Sequence, residues 1–218
     1  MITEADVAAL GLYPHLPRHL EEFPPELHEY CGRGIGVWQY PNQFAKYLNA
    51  MMAENEDIRT YVEIGVAAGG TFMATVDILK PSRRSVAIDI APIGKSLDDA
   101  YRATPYDGQL EAFIAADPEK RSYFQGTARE FAESDHETID LLLIDGDHSY
   151  EGVKADFEAL GSRSRIVVFH DIASDACPGV VRFWKEIVDR YGPERTETFV
   201  DQYASVVKGS FLGIGVLR

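Results

Sequence analysis

Short apolar runs alternate with amphipathic segments along most of this 218-residue chain. The apolar runs, most of them rich in Val, Ile and Leu, predict strands that are buried on both faces of a sheet. They are Thr60–Val66, Ser85–Ile90, Ser122–Gln125, Ile139–Asp145 and Arg165–His170. Segments with helical patterning lie at Thr71–Leu79, Ala128–Ser134, Tyr150–Leu160 and Val180–Tyr191. This alternation predicts an α/β fold with a doubly wound, mostly parallel sheet.

Both ends of the chain depart from the alternation. Thr196–Val200 and Phe211–Leu217 predict two strands with no helix between them, which would form a hairpin at one edge of a seven-stranded sheet, with the last strand antiparallel. Residues 1–58 predict a helical, proline-rich extension, in which Asn42–Ala53 is a helix with Asn42 as its N-cap. We therefore expect an extension over residues 1–58 and a ligand-binding domain over residues 59–218.

Two segments without a clear strand or helix also bear on function. Pro14 and Pro17 exclude a helix around His15 and His19, so we interpret these histidines as surface residues and not as metal ligands. Pro92–Lys120 is a long polar connection that we expect to be partly helical. Connections of this length in compact domains often act as lids or binding loops.

The first predicted strand runs into a glycine loop, Glu63-Ile-Gly65-Val-Ala-Ala-Gly69-Gly70-Thr71. Gly65 allows a sharp turn and a close approach of ligand to backbone. Gly69 and Gly70 fall at the start of a helix, where unpaired N–H groups can bind a carboxylate or phosphate. The spacing differs from the G-x-G-x-x-G of dinucleotide-binding loops. It resembles motif I of class I S-adenosylmethionine-dependent methyltransferases, which implies that Glu63, the three glycines and Thr71 bind this cofactor.

Polar residues end the next two predicted strands. Asp89 can accept hydrogen bonds from both ribose hydroxyls of an adenosyl group, and the alternative is a capping or solvated aspartate. Thr127 is a candidate N-cap for the helix that follows it. In methyltransferases of this type the corresponding position lies beside the adenine, and the two roles are compatible.

The predicted strand Ile139–Asp145 leads into the run Asp145-Gly-Asp147-His148-Ser-Tyr-Glu-Gly. This run resembles a methyltransferase family that also contains cephalosporin-hydroxylase-like proteins and sugar O-methyltransferases of macrolide and aminocoumarin pathways. The resemblance covers roughly residues 35–190. It implies a Rossmann-like methyltransferase fold, S-adenosylmethionine as cofactor, and O-methylation of a small molecule such as a sugar, a polyketide or a phenol.

The same resemblance implies catalytic residues. His148 stands at the offset of the general base in the catechol-type enzymes, and imidazole titrates near neutrality, which suits removal of a hydroxyl proton. Asp147 is the rival base, since some sugar methyltransferases have an acid there. The alternative is that both residues cap the helix that starts near Ser149. In relatives, the region of Gln39 and Tyr40 closes over the cofactor and substrate.

A divalent cation is also implied. In metal-dependent O-methyltransferases of this shape, an acid that ends strand four and a polar pair that ends strand five hold the ion. Carried over by position, the ligands are Asp145, His170 and Asp171, with Asp145 also beside the cofactor. Two carboxylates suit Mg²⁺, whereas the histidine leaves Mn²⁺ or Fe²⁺ open. The alternative is a core histidine at 170 and a loop cap at 171.

Composition narrows the partners. The net charge is −14 and Lys and Arg do not cluster, which argues against a nucleic-acid substrate. Apolar runs are too short to span a membrane, and the first residues lack the pattern of a secretory signal. Cys31 and Cys177 form no motif, and a reduced cytoplasmic setting fits them best. We expect a small-molecule substrate, and the N-terminal arm could pair subunits in a homo-oligomer.

Two other functions share these features. A cofactor-binding scaffold or hydroxylase-associated protein would keep the fold without methyl transfer, because fold does not establish function. An NAD-linked oxidoreductase would share the α/β sheet, but the spacing of Gly65, Gly69 and Gly70 argues against it.

Overall fold

The computed structural model describes residues 1–14, 24–53, 58–95, 106, 108–203 and 211–218. His15, His19 and much of the connection Pro92–Lys120 lie outside the described residues. The helices are α1 (Glu4–Ala9), α2 (Pro41–Ala53), α3 (Gly70–Leu79), α4 (Gln109–Ala115), α5 (Ala128–Ser134), α6 (Tyr150–Leu160) and α7 (Pro178–Tyr191). The strands are β1 (Thr60–Ile64), β2 (Arg84–Asp89), β3 (Arg121–Gln125), β4 (Ile139–Ile144), β5 (Ser164–His170), β6 (Thr196–Phe199) and β7 (Ile214–Leu217). Short 3₁₀ helices occupy Pro25–Tyr30 and Gly161–Arg163.

The seven strands form one sheet of order β3-β2-β1-β4-β5-β7-β6. Strands β1 to β5 are parallel, and β7 is antiparallel to both β5 and β6. The doubly wound sheet and its terminal hairpin are therefore confirmed. The chain leaves β1 toward one edge and returns through β4 toward the other. The carboxyl ends of β1 and β4 thus flank the crevice where open α/β sheets bind ligands.

Two predictions about element ends are wrong for a local reason, the N-cap of α2 and the start of β7, and the other predicted ends agree with the structure within two residues. Helix α2 begins at Pro41, whose fixed φ and missing N–H suit the first helical position. Asn42 lies inside the helix, where its Oδ1 accepts a hydrogen bond from the Gln43 amide. Strand β7 begins at Ile214, because Leu212 (φ 56°) and Gly213 (φ 101°) adopt left-handed backbone that cannot extend the ladder.

Helices cover both faces of the sheet. Strand β4 shows the pattern, because Leu141 and Leu143 pack with α2 and α3 while Leu142 and Ile144 pack with α5, α6 and α7. The N-terminal segment joins the first of these two cores through Val7, Leu12, Val37 and Phe44, among others. Residues on both sides of the predicted boundary at residue 58 therefore share one hydrophobic core. Among the described residues, no helix is long and apolar enough to cross a membrane.

Candidate active site

The glycine loop joins β1 to α3 at the crevice. Gly65 has a φ of 82°, and a Cβ there would overlap the backbone carbonyl of Asp145, which directly follows β4. Only glycine therefore fits both the turn and the close packing. Helix α3 begins at Gly70, with Gly69 (φ 87°) as its N-cap and no side chain capping its first N–H groups. Gly65, Gly69, Gly70 and Thr71 all line the cavity, as the prediction of a ligand-binding loop requires.

Asp89 ends β2 and is oriented by backbone amides. Its Oδ2 accepts a hydrogen bond from Ala67 at 2.9 Å, and its Oδ1 accepts one from Ala91 at 2.9 Å. Ala67 has a φ of 45°, which is rare for a residue with a Cβ and places its N–H toward the carboxylate. A carboxylate has about four acceptor positions, so two remain for a ligand.

Thr127 and Ile90 line the cavity on the same side as Asp89. Thr127 is the N-cap of α5, where its Oγ1 accepts from the Glu130 amide and donates to the Glu130 carboxylate. The capping role is thus confirmed, and its place beside an adenine stays a prediction. Ile90 is 56% exposed, and the sequence pattern did not identify it as a site residue. Its position directly after the strand-ending aspartate is the signal that could have found it.

Glu63 lies on the cavity wall but is otherwise enclosed by the core. Tyr61 donates a hydrogen bond from its hydroxyl to Glu63 Oε2. Burial raises the pKa of Glu63 to about 8, and the negative charge of Asp145 adds to the rise. The protonated, neutral form therefore predominates near pH 7.

The N-terminal segment closes part of the cavity. Tyr13, Gly36 and Trp38 contribute to the lining, and the Gln39 amide donates to Thr71 Oγ1 at 3.4 Å. A Cβ on Gly70 would overlap the Gly36 carbonyl, so the segment lies directly against the start of α3. Neither Gln39 nor Tyr40 lines the cavity, and the Tyr40 ring is buried against Tyr203 and Phe211.

Carboxylates and imidazoles converge where β4 and β5 end. The predicted ligand set is brought together, since one ligand atom from each of Asp145, His170 and Asp171 lies within 4.8 Å of the others. His170 Nδ1 lies 2.9 Å from Asp145 Oδ1 and 3.6 Å from Asp171 Oδ2. Asp171 has a φ of 59°, a conformation that aspartate tolerates better than most residues.

His148 lies at the edge of the same cluster. Its Nε2 is 3.4 Å from Asp145 Oδ1 and 3.5 Å from Asp171 Oδ2, and its Nδ1 is 3.4 Å from the sulfur of Cys177. Cys177 was not identified as a site residue from the sequence, because it is 29 residues away and stands in no motif. The start of α7 brings it to the cluster.

The charges in the cluster are strongly coupled. Hydrogen bonds to Asp145 and Cys177 raise the pKa of His148 to about 11. Burial would lower the pKa of His170, but Asp145 and Asp171 raise it to about 10. Burial would likewise raise the pKa of Asp145, but the two imidazoles lower it to about 2. The expectation that His148 titrates near neutrality is therefore wrong for the cluster without a bound cation. A cation on the two carboxylates would oppose their effect and favour the neutral imidazole.

The loop after β4 is held by its own hydrogen bonds. Asp147 Oδ1 accepts from the Ser149 amide at 2.8 Å, and Ser149 Oγ accepts from the Gly152 amide at 3.0 Å. Ser149 is therefore the cap of α6, and neither Asp147 nor His148 is. Burial, together with the charge of Asp147, raises the pKa of the neighbouring Asp156 to about 6.

Most of the predicted site residues line one cavity of about 780 Å³. The glycine loop, Asp89 and Thr127 line it together with Asp145, Asp147, His148 and Asp171. A seven-stranded sheet of this order, with a glycine loop after β1 and an acid at the end of β2, is the architecture of class I methyltransferases. A sequence model described as a methyltransferase domain matches residues 62–172, about half of the chain, and the chain belongs to that family. The methyltransferase family that the sequence motifs predicted is therefore confirmed.

Solved structures agree on the fold. An O-methyltransferase from Bacillus cereus in complex with SAH superimposes with a TM-score of 0.54, at 16% identity, over 86% of this chain and 84% of that one. TomG, an O-methyltransferase from Streptomyces achromogenes involved in tomaymycin synthesis, gives 0.52 at 17% identity over 83% and 81%. An rRNA methylase from Streptococcus thermophilus gives 0.54 at 9% identity over 81% and 96%. No curated protein sequence matches significantly. Because such different enzymes share the fold, the fold does not define the acceptor.

Proposed function

We propose that the chain is an S-adenosylmethionine-dependent O-methyltransferase that acts on a hydroxyl of a small molecule with the help of a divalent cation. The observation that carries this proposal is the single cavity onto which the glycine loop, Asp89 and the cluster around Asp145 all open. Its volume of about 780 Å³ is within the range of sites for small ligands, roughly 300–1,000 Å³.

The lining residues suggest how the cofactor is held. The free acceptor positions of Asp89 would receive the ribose hydroxyls, and Ile90 and Thr127 would flank the adenine. The uncapped first turn of α3 would receive the carboxylate of the amino-acid portion. Neutral Glu63 lies on the wall near Gly65 without adding a negative charge there. When bound, S-adenosylmethionine supplies an activated methyl group on its sulfonium.

Methyl transfer then needs an acceptor oxygen in line with that methyl group and a group that takes the hydroxyl proton. S-adenosylmethionine would supply the methyl group to that oxygen, with the electron pair of the carbon–sulfur bond remaining on sulfur. His148, whose side chain lines the cavity and is 45% exposed, is our first choice to take the proton, ahead of Asp147. Positioning in the cavity contributes much of the rate enhancement of such displacements.

Asp145, His170 and Asp171 would hold the divalent cation. Two carboxylates and one imidazole, with ligand atoms already within 4.8 Å of one another, suit Mg²⁺, Mn²⁺ or Fe²⁺. When bound, such an ion supplies orientation of neighbouring acceptor oxygens and lowers the pKa of one of them. His170 is buried, which suits a metal ligand. The His148 side chain is 45% exposed, which suits proton transfer with an acceptor in the cavity.

A small-molecule acceptor fits the charge of the site better than a nucleic acid does. The net charge of the chain is −14, and Arg129 is the only Lys or Arg side chain that lines the cavity among the described residues. Nucleic-acid substrates need several Lys or Arg side chains to neutralise phosphates. An acceptor with neighbouring oxygens would suit a cation-assisted reaction.

The proposal is tested by thermal denaturation with S-adenosylhomocysteine. At about 100 times its dissociation constant the ligand should stabilise the protein by about 2.7 kcal/mol, which raises the Tm by roughly 5–10 °C for a domain of this size. Ile90→Ala removes up to about 2 kcal/mol of apolar contact and should weaken binding by roughly 5- to 30-fold. Val200→Ala shortens another exposed apolar side chain, one that does not line the cavity, and should leave binding unchanged.

Turnover completes the test. Methyl transfer to phenolic or sugar hydroxyls should fall in excess EDTA and return with Mg²⁺ or Mn²⁺. Full activity in EDTA would remove the cation from the proposal. Ligand binding without transfer to any hydroxyl acceptor would favour a cofactor-binding scaffold, and a shift with NADH but not with S-adenosylhomocysteine would refute the proposal.

A further inference from the structure

Cys177 is a buried thiol that the proposed reaction does not use. It stands directly before α7 and is 6% exposed. Its sulfur lies 3.4 Å from Asp171 Oδ2 and 3.4 Å from His148 Nδ1. The thiol therefore adds a sulfur donor to a site that otherwise offers only oxygen and nitrogen.

We propose that His148, Asp171 and Cys177 form a second cation site, selective for a thiophilic divalent ion such as Zn²⁺, which overlaps the proposed active site. One ligand atom from each of the three residues lies within 4.8 Å of the others. Thiolate, imidazole and carboxylate together are the donors that Zn²⁺ prefers, whereas Mg²⁺ takes oxygen donors. This set is distinct from Asp145, His170 and Asp171 and shares only Asp171 with it.

Two of the three distances between ligand atoms match those of a zinc centre, and all three are within 4.8 Å. A tetrahedral ion with bonds of about 2.0–2.3 Å places neighbouring ligand atoms roughly 3.3–3.7 Å apart. Asp171 Oδ2 lies 3.4 Å from the Cys177 sulfur and 3.5 Å from His148 Nε2, so two edges of such a tetrahedron are already present. The His148 side chain is 45% exposed, which allows an ion to enter and water to fill a fourth position. Binding replaces the thiol proton, which is released to solvent.

Occupancy of this site has a consequence for catalysis that rests on the proposed function. A neutral imidazole has one nitrogen lone pair, and when a metal ion takes it the other nitrogen carries a proton. His148 could then no longer accept the hydroxyl proton of an acceptor. Asp171 Oδ2 would also be shared with the zinc ion. Zn²⁺ should therefore inhibit methyl transfer that Mg²⁺ supports.

The site is tested first by metal binding, without cofactor or acceptor. The full chain, with Mg²⁺ in excess, is titrated with Co²⁺ and followed for the near-ultraviolet charge-transfer band of a thiolate ligand. Zn²⁺ affinity is measured by competition with a coloured chelator. Cys177→Ser should abolish the band and weaken Zn²⁺ binding by at least roughly 10-fold. Cys31→Ser is the matched control, because Cys31 neither belongs to the cluster nor lines the cavity, and it should keep both properties.

The wild-type protein provides a measurement that does not depend on the folding of a variant. X-ray absorption of the zinc-loaded chain should show a sulfur neighbour at about 2.3 Å together with nitrogen or oxygen neighbours. A zinc environment without sulfur, a cobalt thiolate band that survives Cys177→Ser, or one that is lost in Cys31→Ser would overturn the proposal.

Inhibition is measured separately. Zn²⁺ should reduce Mg²⁺-supported methyl transfer in the wild type and in Cys31→Ser, and the concentration for half inhibition should rise at least roughly 10-fold in Cys177→Ser. If no acceptor is methylated, the proposed function fails while the spectroscopic result still decides the zinc site. If methyl transfer occurs but no sulfur ligand is found, the zinc site alone is wrong.

Discussion

Glu63→Gln should make the stability of the protein less dependent on pH. Glu63 is 1% exposed, and burial raises its pKa from 4.5 to about 8. The native state therefore keeps a proton that the unfolded chain has already lost between these two values. Because the native state binds more protons in this window, its stability is fully present below the unfolded pKa and declines as the pH rises toward about 8. Glutamine is neutral throughout and keeps a carbonyl oxygen for the Tyr61 hydroxyl.

The size of the effect follows from linkage. Inside the window the wild type should lose about 1.4 kcal/mol of unfolding free energy per pH unit relative to Glu63→Gln. From about pH 5.5 to about pH 7.5 the difference between the two proteins should change by about 2–3 kcal/mol, which corresponds to roughly 5–10 °C in Tm. Asp156, whose pKa is about 6, titrates in both proteins and cancels in the comparison.

Calorimetry of both proteins in EDTA across this range is the assay. Glu133→Gln is the control for the loss of a carboxylate, because it makes the same change at a side chain that is 68% exposed. Tyr61→Phe removes the hydrogen bond that lowers the pKa of Glu63, so it should extend the wild-type decline to higher pH. A Tm difference between wild type and Glu63→Gln that stays constant with pH would refute a neutral, buried Glu63.

Two further predictions concern the base and the loop. His148→Ala should lower kcat by about 10² to 10⁴ with little change in S-adenosylhomocysteine affinity. Asp147→Asn keeps an oxygen for the Ser149 amide and should lower kcat less. A near-wild-type kcat in both variants would show that neither residue is the base. Gly65→Ala should reduce unfolding free energy by about 2–3 kcal/mol more than Gly108→Ala in chemical denaturation. Gly65 and Gly108 have nearly equal φ (82° and 81°), but a Cβ at 65 meets the Asp145 carbonyl and one at 108 meets nothing. Equal losses would show that close packing at Gly65 is unimportant.

The sequence predicts most of the parallel strands well because their residues are apolar and buried on both faces, although β3 at the sheet edge is only partly buried. It also predicts which polar residues end those strands, and strand ends meet at one edge of a parallel sheet. This is why Asp145, His170 and Asp171 converge as expected. Local exceptions are harder to predict. The left-handed residues before β7 shorten it, and the proline at the start of α2 displaces the expected cap.

Contacts and pKa values that depend on several segments of the chain cannot be predicted from the pattern of apolar and polar residues. His148 gains its raised pKa from Asp145 and from Cys177, which comes from the start of another helix. No spacing rule links residues 148 and 177, because their contact depends on how α7 packs. The same holds for Tyr13 and Trp38, whose rings lie 4.8 Å apart and which line the cavity from the N-terminal segment.

The methyltransferase family model matches only part of the chain, and this explains why the reaction class is easier to infer than the acceptor. Residues 62–172 contain the glycine loop, Asp89, Thr127 and the cluster of Asp145, His148, His170 and Asp171. Among the described residues, the cavity walls outside that range come from the N-terminal segment, through Tyr13, Gly36 and Trp38. A methyl donor or a cation requires similar binding residues in many methyltransferases, whereas an acceptor must fit the part of the cavity wall that the N-terminal segment forms. Aromatic rings there provide broad apolar faces that favour a planar or ring-shaped acceptor over a chain. We therefore expect acceptor choice to be determined by the N-terminal segment, although the chemistry is carried by the sheet.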